Sequence, residues 1–168
     1  NFGMHKRDMD IAHHIVELKK THGYPEKFRT CYGKNTDERI FDIGQLFHAH
    51  DLEKGITLSR QSNNPLTLKT VKRSNIKLGV YTNLQRRFND HDVPVYCEML
   101  LGLPGETYEI FIAGIEELLR TGLKNQVFIY HCQIYENTEM ADPDYRARHG
   151  LETRKIALNA VHSAVHRE

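Results

Sequence analysis

The sequence predicts an α/β fold, an open parallel sheet with flanking helices. Three observations predict it. Short apolar runs of strand length alternate with stretches whose apolar residues recur at helical spacing. One run, Val95 to Leu101, is almost continuously apolar, as a strand covered on both faces reads. The 168 residues, 39% hydrophobic and 27% charged, match the size and composition of one globular domain spanning 1–168. A closed eight-stranded barrel needs ~250 residues, so an open sheet or an arc of a barrel fits.

The elements follow in order. Asp8 to His22 reads as a helix with Ile11, Ile15 and Leu18 on one face, Ala12 and Val16 beside them, and Gly23 to close it. Lys27 to Tyr32 is a short extended segment. Asn35, with Glu38 three residues on, reads as a capping box for a helix whose apolar face is Ile40, Ile43, Leu46 and Phe47. Ile56 to Gln61 is the next strand. Asn64-Pro65 starts a helix that runs to about Arg73, with Leu68 and Val71 inward. Tyr81, Leu84 and Phe88 mark a second helix before the strand at Val95 to Leu101. A turn, Gly102-Leu103-Pro104-Gly105, leads to Thr107, the cap of a helix bearing Phe111, Ile112, Ile115, Leu118 and Leu119. Gln126 to Ile134 reads as another buried strand. A polar loop follows, then a final helix holding Ile156, Ala160, Val161, Ala164 and Val165. Four strands are visible, and a fifth ends at Asn1-Phe2. The chain opens on Asn rather than Met, so the expectation is a piece of a longer protein whose strand body lies upstream.

Charge and cysteine usage narrow the function. Lys and Arg number 23 against 22 Asp and Glu, a net +1, so no basic field exists to capture nucleic acid. No apolar run approaches the ~20 residues of a membrane span. Three cysteines in 168 residues do not make a disulfide framework, which points to a reducing cytoplasm. Cys31, Cys97 and Cys132 read as buried thiols acting as small apolar side chains.

In parallel α/β folds ligands bind at the carboxyl ends of the strands. Ser59-x-Gln61-Ser62 places hydroxyl and amide groups at one such end, suited to sugar hydroxyls or to turn chemistry. Arg73, twelve residues after Gln61, either returns to the site to hold a carboxylate with its rigid fork or is a solvated neighbour of Lys69 and Lys72. Glu98 is the lone acid of its apolar strand, faces away from Cys97 and Met99, and needs a ribose diol or a buried Arg as partner. Gly102 and Gly105 let backbone approach a ligand, or form a plain tight turn. His48 and His50 read as a solvated helix end, with a metal-dependent hydrolase as the lesser possibility.

Several strings in order resemble radical S-adenosylmethionine (SAM) enzymes, above all those with a cobalamin-binding domain. They are Asn1-Phe2-Gly3, Tyr32-Gly33-Lys34-Asn35, Leu58-Ser59-Arg60-Gln61-Ser62, Lys72-Arg73-Ser74-Asn75-Ile76, Glu98 with Leu101-Gly102-Leu103-Pro104-Gly105-Glu106-Thr107, and Asn137-Thr138-Glu139-Met140. The resemblance implies an incomplete (β/α), TIM-like barrel that binds SAM across its strand tips, this chain being the C-terminal portion of that core. It implies Ser59, Gln61 and Glu98 near the ribose and methionine parts, Arg73 on the methionine carboxylate, and Gly102 to Gly105 near adenine. Phe2, whose backbone neighbours the methionine amino group, and Asn35 complete the implied set. It further implies a four-iron (4Fe-4S) cluster, cobalamin through an upstream domain, a small-molecule substrate, and reductive SAM cleavage leading to methyl transfer. The family's Cys-x-x-x-Cys-x-x-Cys motif is absent here, and Glu136 stands where Pro is expected before Asn137. The chain is therefore expected to be inactive alone, to depend on upstream segments, and to self-associate through an uncovered strand edge. The alternative is a non-catalytic α/β module that binds a nucleotide-like ligand or a protein.

Overall fold

The computed structural model describes residues 2–33 and 38–154. The chain divides into two compact units, Asn1–Cys132 and Gln133–Glu168. Asn35 and the predicted final helix at Ile156 to Val165 lie outside the described residues.

The first unit runs α1 (Arg7–His22), α2 (Glu38–Ala49), β1 (Ile56–Thr57), α3 (Pro65–Thr70), α4 (Leu78–Asp90), β2 (Val95–Leu101), α5 (Tyr108–Arg120) and β3 (Val127–His131). The three strands form one sheet in the order β1-β2-β3, and both pairings are parallel. The connections are helical, α3 and α4 between β1 and β2, and α5 between β2 and β3. The α/β class and the parallel sheet are as the sequence predicts.

Local chemistry explains most element ends. Asn64 caps α3 by accepting the Thr67 N–H at 2.9 Å, with Pro65 filling the first helical position. Thr107 accepts the Ile110 N–H to start α5. α1 closes on left-handed Gly23, whose N–H returns to the Lys19 carbonyl. The core lies between α1, α2, α4, α5 and one face of the sheet, where Val95, Cys97 and Met99 of β2 are fully buried. An aromatic cluster of Phe2, Phe28, Tyr32 and Phe47 extends it, and Phe41 packs on Phe88 with ring centroids 5.1 Å apart.

Several expectations are corrected. The predicted strand at Lys27 to Tyr32 reduces to one parallel bridge, Phe2 to Tyr32, so the described sheet has three strands rather than four or five. β2 is not covered on both faces: Tyr96, Glu98 and Leu100 stay half-exposed between its buried residues. β3 is an edge strand, not a buried one. Ile129 and Tyr130 are 48% and 47% exposed, because no further described strand pairs with it. In α1, Ile11 and Leu18 face outward, and Asp8, Ala12, Ile15 and Val16 face the core. The His5 N–H donates to the Asp8 carboxylate at 2.9 Å, which holds that carboxyl below its ordinary range and lets an acid occupy the inner face. Leu119 of α5 is exposed as well, and Val71 follows the end of α3 half-buried. Of the thiols, Cys97 is buried but Cys31 is exposed.

The second unit holds a 3₁₀ turn at Glu139–Ala141 and α6 (Pro143–His149). Asp142 caps α6 by accepting the N–H groups of Asp144 and Tyr145 at 3.0 Å each, and left-handed Gly150 ends it. Among the described residues, no helix is long and apolar enough to cross a membrane.

Candidate functional site

The carboxyl end of β1 departs from regular pairing. Ile56 pairs with Val95, an offset of 39 residues, whereas Gln61 bridges Met99, an offset of 38. One extra residue is therefore inserted, and its cause is visible. The N–H groups of Arg60 and Gln61 both point to the Glu98 carbonyl, at 3.3 and 2.9 Å, and the Leu100 N–H then returns to the Gln61 carbonyl at 2.8 Å. This is a β-bulge. Within it the Ser62 N–H closes on the Arg60 carbonyl at 2.8 Å, and Gln61 takes φ +65°. A three-residue γ-turn with a non-glycine residue at positive φ is a strained arrangement of the kind that gathers at ligand sites.

The bulge separates neighbouring side chains. Ile56, Leu58 and Arg60 go to the interior, the last only 5% exposed. Gln61 stays accessible, and its Oε1 accepts from Arg73 Nη1 at 2.8 Å. Arg73 reaches this place through the end of α3. Lys72 takes φ +53°, the Lys72 N–H bonds to the Lys69 carbonyl, and the Arg73 N–H bonds to the Leu68 carbonyl. That double closure turns the chain back toward β1. The bond to Gln61 is the one hydrogen bond of the Arg73 side chain among the described residues, so most of its planar donor fork remains open for an anion.

Next to this pair, the Ser59 hydroxyl donates to Glu98 Oε2 at 2.6 Å. Glu98 lies on the half-covered face of the sheet, beside Phe128 in register and between Tyr96 and Leu100. A water-sized cleft of about 20 Å³ opens beside Ser59, walled by Tyr32, Tyr81, Ile40, Leu58 and Leu84; Gln61, Arg73 and Glu98 do not line it. Ser59–Glu98 and Gln61–Arg73 are thus two hydrogen-bonded pairs at one strand tip, linked by the Gln61 N–H to the Glu98 carbonyl. Gly102 and Gly105 follow β2 with φ +90° and +79°. A Cβ on either would still have only contacts at 3.8 Å or beyond, so backbone geometry, not crowding, calls for glycine there. Both are exposed.

Other expected groups are placed differently. Phe2 has its ring in the aromatic cluster, and its backbone N–H and carbonyl bond to Cys31 and Gly33 at 2.8 Å each. Of the two readings open for Ser62, sugar hydroxyls or turn chemistry, the structure takes the second: the residue is fully buried. Its hydroxyl donates to Glu106 Oε1 and accepts the Asn64 N–H, so the interior consumes it. His48 bonds to Glu53 at 3.1 Å, and among the described residues no three His, Cys, Asp or Glu side chains form a metal-holding group.

Sequence reading missed the support beneath the site. Arg60 Nε donates to Asn63 Oδ1 at 2.5 Å, its Nη1 to the Ile76 carbonyl at 3.1 Å, and its guanidinium lies 5.1 Å from the Tyr81 ring centroid. Asn63 in turn donates to the Gly114 carbonyl of α5 at 3.1 Å, and Asn75 donates to the Ser62 carbonyl at 2.6 Å. Burial pushes the Arg60 pKa down and the Glu106 carboxyl up, the Ser62 hydroxyl offsetting part of the latter. Alternation gave one signal for Arg60, which shares the inward parity of Ile56 and Leu58.

The strand tip thus belongs to an α/β protein with a parallel sheet and carries two hydrogen-bonded polar pairs, Ser59–Glu98 and Gln61–Arg73. Comparison with known proteins sharpens this. No family model matches the chain. Over 153 residues, 91% of its length, it is 37% identical to the cobalamin-dependent radical SAM methyltransferase TokK of Streptomyces tokunonensis. Over the same share it is 35% identical to 2-(S-pantetheinyl)-carbapenam-3-carboxylate methyltransferase of Streptantibioticus cattleyicolor. The chain spans 22% of the length of each of these relatives. The resemblance to cobalamin-dependent radical SAM enzymes read from the ordered strings therefore holds along nine-tenths of the chain. A four-iron cluster does not fit the thiols present: Cys31 is exposed before the Phe2 bridge, Cys97 is buried within β2, and Cys132 follows β3.

Proposed function

We propose that this chain is the SAM-holding part of a cobalamin-dependent radical SAM methyltransferase, an arc of an incomplete (β/α) barrel working in the cytoplasm. The observation that carries the reading is the meeting of Gln61–Arg73 and Ser59–Glu98 around one carbonyl of β2. Arg73 supplies a planar fork for the methionine carboxylate. Glu98, held by Ser59, accepts from the ribose diol, and Gln61 contributes an amide beside both. The Gly102 to Gly105 turn offers backbone to adenine, and the segment at Phe2 borders the methionine amino group. The cluster and cobalamin are held by parts of the complete polypeptide outside this chain, which alone is inactive in SAM cleavage. The small-molecule substrate meets the pocket from the open face of β2 and β3.

The test is SAM titration calorimetry on the complete polypeptide, followed by measurement of 5′-deoxyadenosine formation. Arg73→Ala and Glu98→Gln are each expected to weaken SAM about 10- to 100-fold, the worth of a hydrogen bond to a charged group. Unchanged affinity and cleavage in both variants would remove this pocket from SAM binding.

A further inference from the structure

Arg73 is exposed and sits beyond a six-residue helix, a poor place from which to aim a rigid fork. The structure shows what holds it. The Gln61–Arg73 bond is flanked by two tethers between the same two segments. On one side, Arg60 Nη1 reaches the Ile76 carbonyl at 3.1 Å. On the other, Asn75 Nδ2 reaches the Ser62 carbonyl at 2.6 Å. The residues before and after Gln61 are thus tied to the residues that follow Arg73. Both tethers are partly buried, whereas the bond they bracket is exposed. The Arg60 anchor is itself fixed through Asn63 to α5 and by the Tyr81 ring.

We infer that Asn75 and Arg60 are positioning residues that hold the loop of Arg73 against the bulge, so that the guanidinium of Arg73 meets a ligand carboxylate in fixed geometry. This inference rests on the SAM reading above. A loop held only by the exposed Gln61–Arg73 bond would let the fork sample many orientations, and discrimination for the carboxylate would fall while the rest of the pocket persisted.

The experiment compares SAM, decarboxylated SAM and adenosine as ligands of the complete polypeptide by calorimetry. The proteins are the wild type, Arg73→Ala, Asn75→Asp and Arg60→Lys. Asn75→Asp keeps the shape and loses the donor; Arg60→Lys keeps the charge and loses the fork. The wild type is expected to prefer SAM over its decarboxylated analogue by about 10- to 100-fold. Arg73→Ala should erase that preference. Asn75→Asp and Arg60→Lys should reduce it at least severalfold with adenosine binding retained. Full preference in both Asn75→Asp and Arg60→Lys, beside its loss in Arg73→Ala, overturns the positioning role alone. Equal weakening of all three ligands in those variants also overturns it, since that is a general packing effect. Preference undiminished in Arg73→Ala refutes the SAM reading and this inference together.

Discussion

Gln61 is the residue where the sequence is asked to do something its backbone disfavours. Its φ of +65° is left-handed, which costs a non-glycine residue roughly 1–2 kcal/mol. Gln61→Gly relieves that strain. The added freedom of the unfolded chain returns about 0.5–1 kcal/mol, and loss of the exposed bond to Arg73 costs about 0.5–1.5 kcal/mol. The terms nearly cancel, so the glycine variant should unfold within about 1 kcal/mol of the parent while losing the amide that meets Arg73. Gln61→Val loses the same bond, keeps the strain and adds a β-branched side chain where φ is positive. It should fall about 2 kcal/mol below the glycine variant. With a urea slope of about 1–3 kcal/mol per molar, that gap is a midpoint separation on the order of 1 M. Equilibrium urea unfolding followed by far-UV circular dichroism reads it directly. Coincident midpoints for the glycine and valine variants would show that position 61 is unstrained and that the γ-turn account is wrong.

Three further outcomes follow from the same geometry. Glu106 has its folded pKa raised by burial, so its contribution to stability is complete below the unfolded carboxyl value and is lost as pH rises through the folded one. Glu106→Gln should therefore melt higher than the parent at pH 7, with the gap closing toward pH 4; a gap that stays constant with pH would contradict this. A Cβ at Gly44 would lie 2.7 Å from Phe88 Cε1 and 3.3 Å from Ile56 Cδ1, in the fully buried core. Gly44→Ala should cost about 1–3 kcal/mol by urea unfolding, and Phe88→Leu in the same chain should recover part of it. β3 exposes Ile129 and Tyr130 at a strand edge, so the isolated 168-residue chain should associate in sedimentation and solution scattering; a monomer across concentrations would refute that expectation.

Much of this molecule can be read from local chemistry. The Asn64-Pro65 and Thr107 starts, the Gly23 stop and the bounds of Val95 to Leu101 all follow from caps and apolar runs, because those signals sit within a few residues of one another. The spacing of twelve residues left two readings of Arg73 open, a return to the strand tip or a solvated neighbour of Lys69 and Lys72, and its bond to Gln61 was not legible in it. The bulge was not legible either, since it arises from two N–H groups sharing one carbonyl of a strand almost forty residues away. Nor was the exposure of β3: an apolar run records a preference for burial, and does not name what lies over it. Asp8 misled for a similar reason. The His5 N–H satisfies its carboxylate, so the inner stripe of α1 is rotated from the one its apolar residues suggest. Asn75 and Arg60 carried too little local signal to mark them as supports.

The extra residue at Arg60–Gln61, just past β1, resets which side chains point inward over the few positions before α3. Substitution at the strand tip changes one contact at a time. A deletion or insertion of a single position between Leu58 and Ser62 would exchange the two sides wholesale, swinging a guanidinium out of the interior and an amide into it. Related chains should therefore differ in spelling along this stretch while keeping its length.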